Sequence, residues 1–193
     1  VLMDTAEHDP PHTPFVFALD DGRYLHAVSW QLGSISVYEQ GFLHAPDGPF
    51  GQLGPDARDE IGSADELREV IGGSSAGIKA RLMNQAVIAG IGNAWSDEIL
   101  FHARLHPMTK TSTLSDADFD AIYHAMRDVF SAAIKAGGEG FTDLHGRRGT
   151  AEESFAVHGR EGDDCPADCG GRVEAMKVAG RTGYLCPRCQ KQR

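Results

Sequence analysis

Four cysteines are the residues with the best-defined chemistry: Cys165, Cys169, Cys186 and Cys189, all near one end of a 193-residue chain. Their spacing is C-x3-C-x16-C-x2-C. Two pairs of closely spaced thiolates can surround one tetrahedral Zn²⁺ with sulfurs at about 2.3 Å. Gly170-Gly171 follows the first pair and Pro187 sits inside the second, so both pairs have turn residues. Between the pairs, Arg172–Val178 and Arg181–Leu185 are short enough to form a β-hairpin, although the first run is not cleanly alternating. The competing reading is two disulfides in a secreted domain. No basic–apolar–small leader opens the sequence, and the rest of the chain has no cysteine. One structural Zn²⁺ is therefore the expected cofactor. Four thiolates leave no open position for water, so metal-ion catalysis is not expected.

A second constellation lies in Lys79–Pro107. Two helices flank a turn containing Gly90 and Gly92. Glycine tolerates positive φ and lets backbone N–H groups approach an anion. Asn93 is expected at the N-cap of the following helix, where free N–H groups and the helix dipole favour phosphate. Lys79, one helix earlier, can point its ammonium the same way. The alternative is a plain helical hairpin with a capping Asn and Lys79 on a solvated face; spacing alone favours that alternative.

These residues need elements to hold them. Phe15–Leu19, Tyr24–Trp30 and Ser34–Tyr38 read as strands, with Asp20-Asp21-Gly22 as a hairpin turn. Residues 41–62 read as a Gly/Pro-rich linker. Ser63-Ala64-Asp65-Glu66 has the form of a capping box and opens a helix to about Ile71. Further helices are expected over Gly77–Gln85 and Asn93–Leu105. Ser115 and Asp118 can open a long helix with Phe119, Ile122, Tyr123, Met126, Val129, Phe130, Ala133 and Ile134 on one face, stopped by Gly137-Gly138. Residues 139–154 read as a loop. The fold class is α+β: a partial β-sandwich over 1–55, a helical domain over 56–154 and a zinc-bearing hairpin over 155–193.

The formal charge is −10, which alone argues against phosphate binding. It is unevenly spread. Residues 1–77 carry 13 acidic and 3 basic residues, whereas 78–193 carry 15 of each. The acidic excess lies outside both constellations, so a nucleic-acid partner stays open, held by a few placed cations. No apolar run reaches the roughly 20 residues needed to span a membrane. A cytosolic monomer is expected.

The run Ile78-Lys79-Ala80-Arg81-Leu82-Met83-Asn84-Gln85, then Val87–Asn93, Asp97-Glu98-Ile99-Leu100-Phe101 and His106-Pro107, closely resembles the helix–two-turn–helix of the formamidopyrimidine/endonuclease VIII family of DNA glycosylases. Phe155–Gly162, the four cysteines and Gly180-Arg181-Thr182 resemble the same family's zinc finger. Residues 1–55 match its N-terminal β-sandwich more weakly. The resemblance implies excision of oxidised bases from damaged duplex DNA, then β,δ-elimination at the abasic site. It also implies that Lys79, Asn93 and Arg181 hold backbone phosphates. Met3 matches, on a poor anchoring motif, a methionine that fills the gap left by an everted base.

The pattern breaks at the nucleophile. The family uses the secondary amine of an N-terminal proline followed by glutamate, and this sequence opens Val1-Leu2-Met3. Pro10 and Pro11 are internal amides, so no catalytic residue is assigned. Lys79 could form a Schiff base only if desolvated. Glu98 reads as a buried hydrogen-bonding group before a general acid. Ser29–Gly33 departs from an Arg–Phe pair that many members use to probe the opposite base; Trp30 and Leu32 read as strand core. Trp95 and Phe101 also read as core. Two accounts remain: the C-terminal portion of a longer glycosylase, or a short paralogue that binds DNA without cutting it. A zinc-ribbon protein-interaction module is the third class.

Overall fold

The computed structural model describes residues 2–3, 15–27 and 36–192. Strands β1 (Leu2–Met3), β2 (Phe15–Ala18) and β3 (Tyr24–Ala27) form an antiparallel sheet in the order β1-β3-β2. The β2–β3 register pairs Phe15 with Ala27 and Ala18 with Tyr24. Its turn is the expected Asp20-Asp21-Gly22, with Gly22 at φ +85°, a conformation that favours glycine. The expected strand over Ser34–Tyr38 does not form across its described part, because 36–39 have no regular structure.

Residues 40–62 are turns and a short 3-10 helix, as the glycine and proline content implies. Their end is fixed rather than free. Gly54 N–H donates to Gln85, Ala57 N–H donates to Ala89, and Ala89 N–H donates back to Pro55.

Helix α1 (Ala64–Ile71) is capped by Ser63, whose hydroxyl accepts Glu66 N–H. Glu66 reaches back to Gly62 N–H at 2.7 Å rather than to the cap residue itself. Helix α2 is shorter than the spacing suggested, Ile78–Leu82. Helix α3 runs Asn93–His102, and Arg104 at φ +56° turns the chain away. Helix α4 (Asp116–Lys135) has a reciprocal capping box between Ser115 and Asp118. Phe119, Ile122, Met126, Val129 and Ala133 are buried along one face, while Ile134 is exposed. The main core gathers Leu67, Ile71, Ile78, Leu82, Ile88, Ile91, Ile99, Leu100 and that face of α4.

Strands β4 (Glu174–Val178) and β5 (Arg181–Leu185) form the C-terminal hairpin. Its tip is Ala179-Gly180, both at positive φ (+49° and +78°), as a two-residue primed turn requires. A second core holds Phe101, Val157, Val173 and the buried sulfurs of Cys165 and Cys186. Phe101 belongs to α3, so the hairpin packs on the helix that follows the glycine turn. Among the described residues, no helix is long and apolar enough to cross a membrane.

Candidate metal centre and nucleic-acid interface

The ligand atoms of Cys165, Cys169, Cys186 and Cys189 all lie within 4.8 Å of one another. Two sulfur pairs, Cys165–Cys189 and Cys169–Cys186, are 3.7 and 3.6 Å apart. Sulfurs at about 2.3 Å from one tetrahedral Zn²⁺ would be about 3.8 Å apart, whereas a disulfide needs about 2.0 Å. The arrangement fits the metal and excludes the paired bridges. Gly171 closes the first knuckle: a Cβ there would sit 2.9 Å from Cys186 Sγ and 3.3 Å from Cys169 Sγ. Its N–H hydrogen bond to Cys169 lowers that thiol to about 7, while burial pushes Cys189 up to about 12. Bound zinc ionises coordinating thiols outright, overriding that difference.

The glycine turn is held by Gln85, whose part the sequence did not announce. Its Oε1 accepts Gly90 N–H at 3.0 Å, and its Nε2 donates to Ile91 O at 2.9 Å. Gly90 stands at φ +93°, so the turn requires glycine there. The N-cap of α3 is Gly92, not Asn93 as expected. Asn93 is the first helical residue, so its side chain does not cap. Instead its amide donates to Thr182 O of β5 at 2.8 Å, and its Oδ1 is buried without a partner. The first-turn N–H groups of α3 have no intrahelical acceptor, and the start of the helix borders a cavity of about 430 Å³ lined by Gln85, Gly90, Gly92, Asn93, Trp95 and Arg181.

Lys79 is not where the sequence led one to expect it. Its side chain is 0% exposed. The ammonium donates to Asp97 Oδ1 at 2.6 Å, Ser96 Oγ at 3.0 Å and Asn93 O at 3.0 Å. Those three bonds use every proton it has. A direct phosphate contact is therefore corrected to a support beneath the turn. Burial pushes its pKa below the ordinary lysine value against the pull of Asp97, and the nearby Arg181 guanidinium adds to the lowering.

Asp97 also accepts the His158 ring at 2.8 Å through Oδ2. Glu98 is buried and accepts three backbone N–H groups, from Ala156 (2.7 Å), Val157 (3.0 Å) and His158 (2.9 Å). That is the buried hydrogen-bonding role expected of it. Arg181 is exposed at the start of β5 and faces the same cavity. Trp95 is half-buried and stacks edge-on with Phe155; Phe101 is buried as expected. Met3 lies in β1, paired with Tyr24, and Trp30-Gln31-Leu32 lie outside the described residues.

Known proteins resemble this chain in sequence and fold. Residues 53–144 match the family described as the formamidopyrimidine-DNA glycosylase H2TH domain, and residues 162–192 match the zinc finger found in FPG and IleRS. The formamidopyrimidine-DNA glycosylase of Pelotomaculum thermopropionicum is 35% identical over 196 residues, covering 98% of this chain and 70% of the relative. The chain belongs to the formamidopyrimidine-DNA glycosylase family. The enzyme of Chloroflexus aurantiacus is 37% identical over 183 residues, covering 93% of this chain and 64% of its own length. Among solved structures, the complex of Lactococcus lactis Fpg with abasic-site DNA superposes with a TM-score of 0.84 at 26% identity, covering 99% of this chain and 70% of that one. The MutM (FPG) protein of Thermus thermophilus gives 0.82 at 29%, covering 100% and 72%. The chain thus spans about 70% of the length of the first of these glycosylases. The first family match holds Lys79, the glycine turn and Asn93; the second holds Arg181 and the four cysteines of a structural zinc finger.

Proposed function

We propose that this chain serves a DNA-repair glycosylase that excises oxidised bases from duplex DNA and cleaves the resulting abasic site. The observation that carries the reading is the cavity between the start of α3 and Arg181. Gly92 and Asn93, at the start of a ten-residue helix, line it together with Arg181. A helix start and a guanidinium both favour phosphate oxygens. Asn93 takes part through its backbone N–H, and Arg181 through its side chain. Lys79 acts from below by fixing Asn93 and Asp97.

The zinc finger's part is to hold β5 rigid so that Arg181 meets the turn at a set distance. Zinc supplies rigidity, not chemistry, since four thiolates fill its coordination sphere. Beyond Trp95 a second cavity of about 420 Å³ is lined by Trp95, Arg58, Phe130 and Ile134. A pocket of aromatic and aliphatic side chains with one guanidinium, sharing Trp95 with the phosphate site, suits a base turned out of the stack. We assign the nucleophile to none of the described residues. Lys79 is a buried amine, but its ammonium is held by three acceptors, one of them the Asp97 carboxylate. The bacterial relatives favour a cytoplasmic setting, working on chromosomal DNA.

The test is incision by the full-length gene product of a duplex carrying an oxidised purine. Strand scission with a borohydride-trappable adduct supports the reading. Salt-sensitive binding without scission or trapping would leave a DNA-binding paralogue, and no binding at low salt would remove DNA as the partner.

A further inference from the structure

We infer that Asp97 is a positioning residue for Arg181: its carboxylate joins α2, α3 and the zinc hairpin at one point, and so sets where the guanidinium stands over the turn. The inference rests on the phosphate reading of Arg181 given above.

Asn93 and Asp97 are four residues apart on α3 and therefore share one face. That face meets β5. Asn93 pins the backbone at Thr182. One residue further, Gly183 packs directly on the buried ion pair: a Cβ there would lie 2.9 Å from Lys79 Cε and 3.1 Å from Asp97 Oδ1. In a strand, residues two apart point to the same side. Arg181 thus projects from the same face of β5 as the missing Gly183 side chain, towards α3. The depth at which that face seats is fixed by the Lys79–Asp97 pair beneath it.

The other carboxylate oxygen closes the junction from the segment that enters the zinc finger. His158 Nδ1 lies 2.8 Å from Asp97 Oδ2, and the His158 ring packs edge-on against Tyr184 of β5 at 5.1 Å. Tyr184 is the next residue after Gly183. Asp97 therefore touches β5 by two routes, one through Lys79 and Gly183 and one through His158 and Tyr184. No other side chain among the described residues carries both a bond to Lys79 and a bond to His158. Asp97 itself is buried and does not line the phosphate cavity, so any effect it has on DNA passes through residues that do, and the coupling to Arg181 is what the following cycle reads.

A binding cycle on the full-length protein tests this, using a duplex with an abasic-site analogue as the probe. Arg181→Ala alone should weaken binding roughly tenfold and lower the salt slope by about one. Asp97→Asn should weaken it by a similar factor while zinc stays at one equivalent. In the Asp97→Asn background, Arg181→Ala should then cost under about threefold, because the contact is already lost. A merely destabilising substitution would leave the two effects multiplicative, and that outcome overturns the inference. If Arg181→Ala alone changes nothing, the phosphate reading fails and the inference falls with it. Should Asp97→Asn not fold, Gly183→Ala replaces it. A methyl there crowds the ion pair against β5 without altering any charge, and the same loss of additivity is expected.

Discussion

The Glu98 carboxylate accepts the backbone N–H of His158 at 2.9 Å, joining helix α3 to the linker that enters the zinc finger. The same carboxylate takes the N–H groups of Ala156 and Val157. One side chain of the helical unit thus organises three consecutive residues of the finger's entry. Glu98→Ala would leave those donors without their acceptor inside the protein. A loss of about 3 kcal/mol is expected, which for a chain of this size lowers the melting temperature by roughly 6–12 °C. Thermal unfolding checks it. A change below about 1 kcal/mol would show that the three contacts are replaceable by water.

Removing zinc should have separable effects. The main helical core contains none of the cysteines, whereas the second core contains Cys165 and Cys186. A chelator should therefore abolish hairpin order and weaken DNA binding at least about tenfold, while most of the helical circular dichroism persists. Helical signal lost in step with zinc would show instead that the two cores unfold as one.

The hairpin tip holds Ala179 at φ +49°, where a Cβ is strained by about 1–2 kcal/mol. Ala179 is exposed, so its methyl contributes no packing. Ala179→Gly should stabilise the finger by about 0.5–1 kcal/mol, reduced from the strain by the entropy of glycine in the unfolded chain. Hydrogen exchange at the β4 and β5 amides across a denaturant series measures this. Destabilisation would mean that the tip relaxes in solution.

The loop over 139–150 has an acid-sensitive pin. The backbone N–H of Arg147 holds the Asp143 carboxylate below its ordinary range, with the Arg147 side chain and the His145 N–H adding to it. A carboxylate whose folded pKa is lowered stabilises the loop fully above its unfolded value, about 3.9. That contribution is lost as pH falls through the lowered folded value. Protection of the Arg147 amide against exchange should persist at about pH 5 and decline only in stronger acid. Protection lost already near that pH would contradict the pin.

The parts of the site legible in the sequence were those set by local spacing. The cysteine pairs define their own metal geometry, and the Ser115–Asp118 capping box closes within one turn. Glu98 could be read as a buried hydrogen-bonding group because an apolar stretch follows it. Lys79 was misplaced for the opposite reason. Its partners are Asp97, eighteen residues on, and the junction with His158, sixty-one residues beyond Asp97. No periodicity records such pairings, and a lysine on a short helix looks solvated until its neighbours are known. Asn93 was displaced by a single position: Gly92 takes the cap, which frees the Asn93 amide for Thr182. Gly183 carries no local signal in the sequence, although the ion pair behind it crowds the place of a Cβ.

The central claim is that Arg181, presented by the zinc hairpin over the start of α3, grips a DNA phosphate. Its most direct test is the dissociation constant for an abasic-analogue duplex, measured across a salt series for the parent protein and Arg181→Ala. The account predicts roughly tenfold weaker binding for the variant, with a slope of log K against log salt reduced by about one. Equal affinity and equal slope for the two proteins would contradict it.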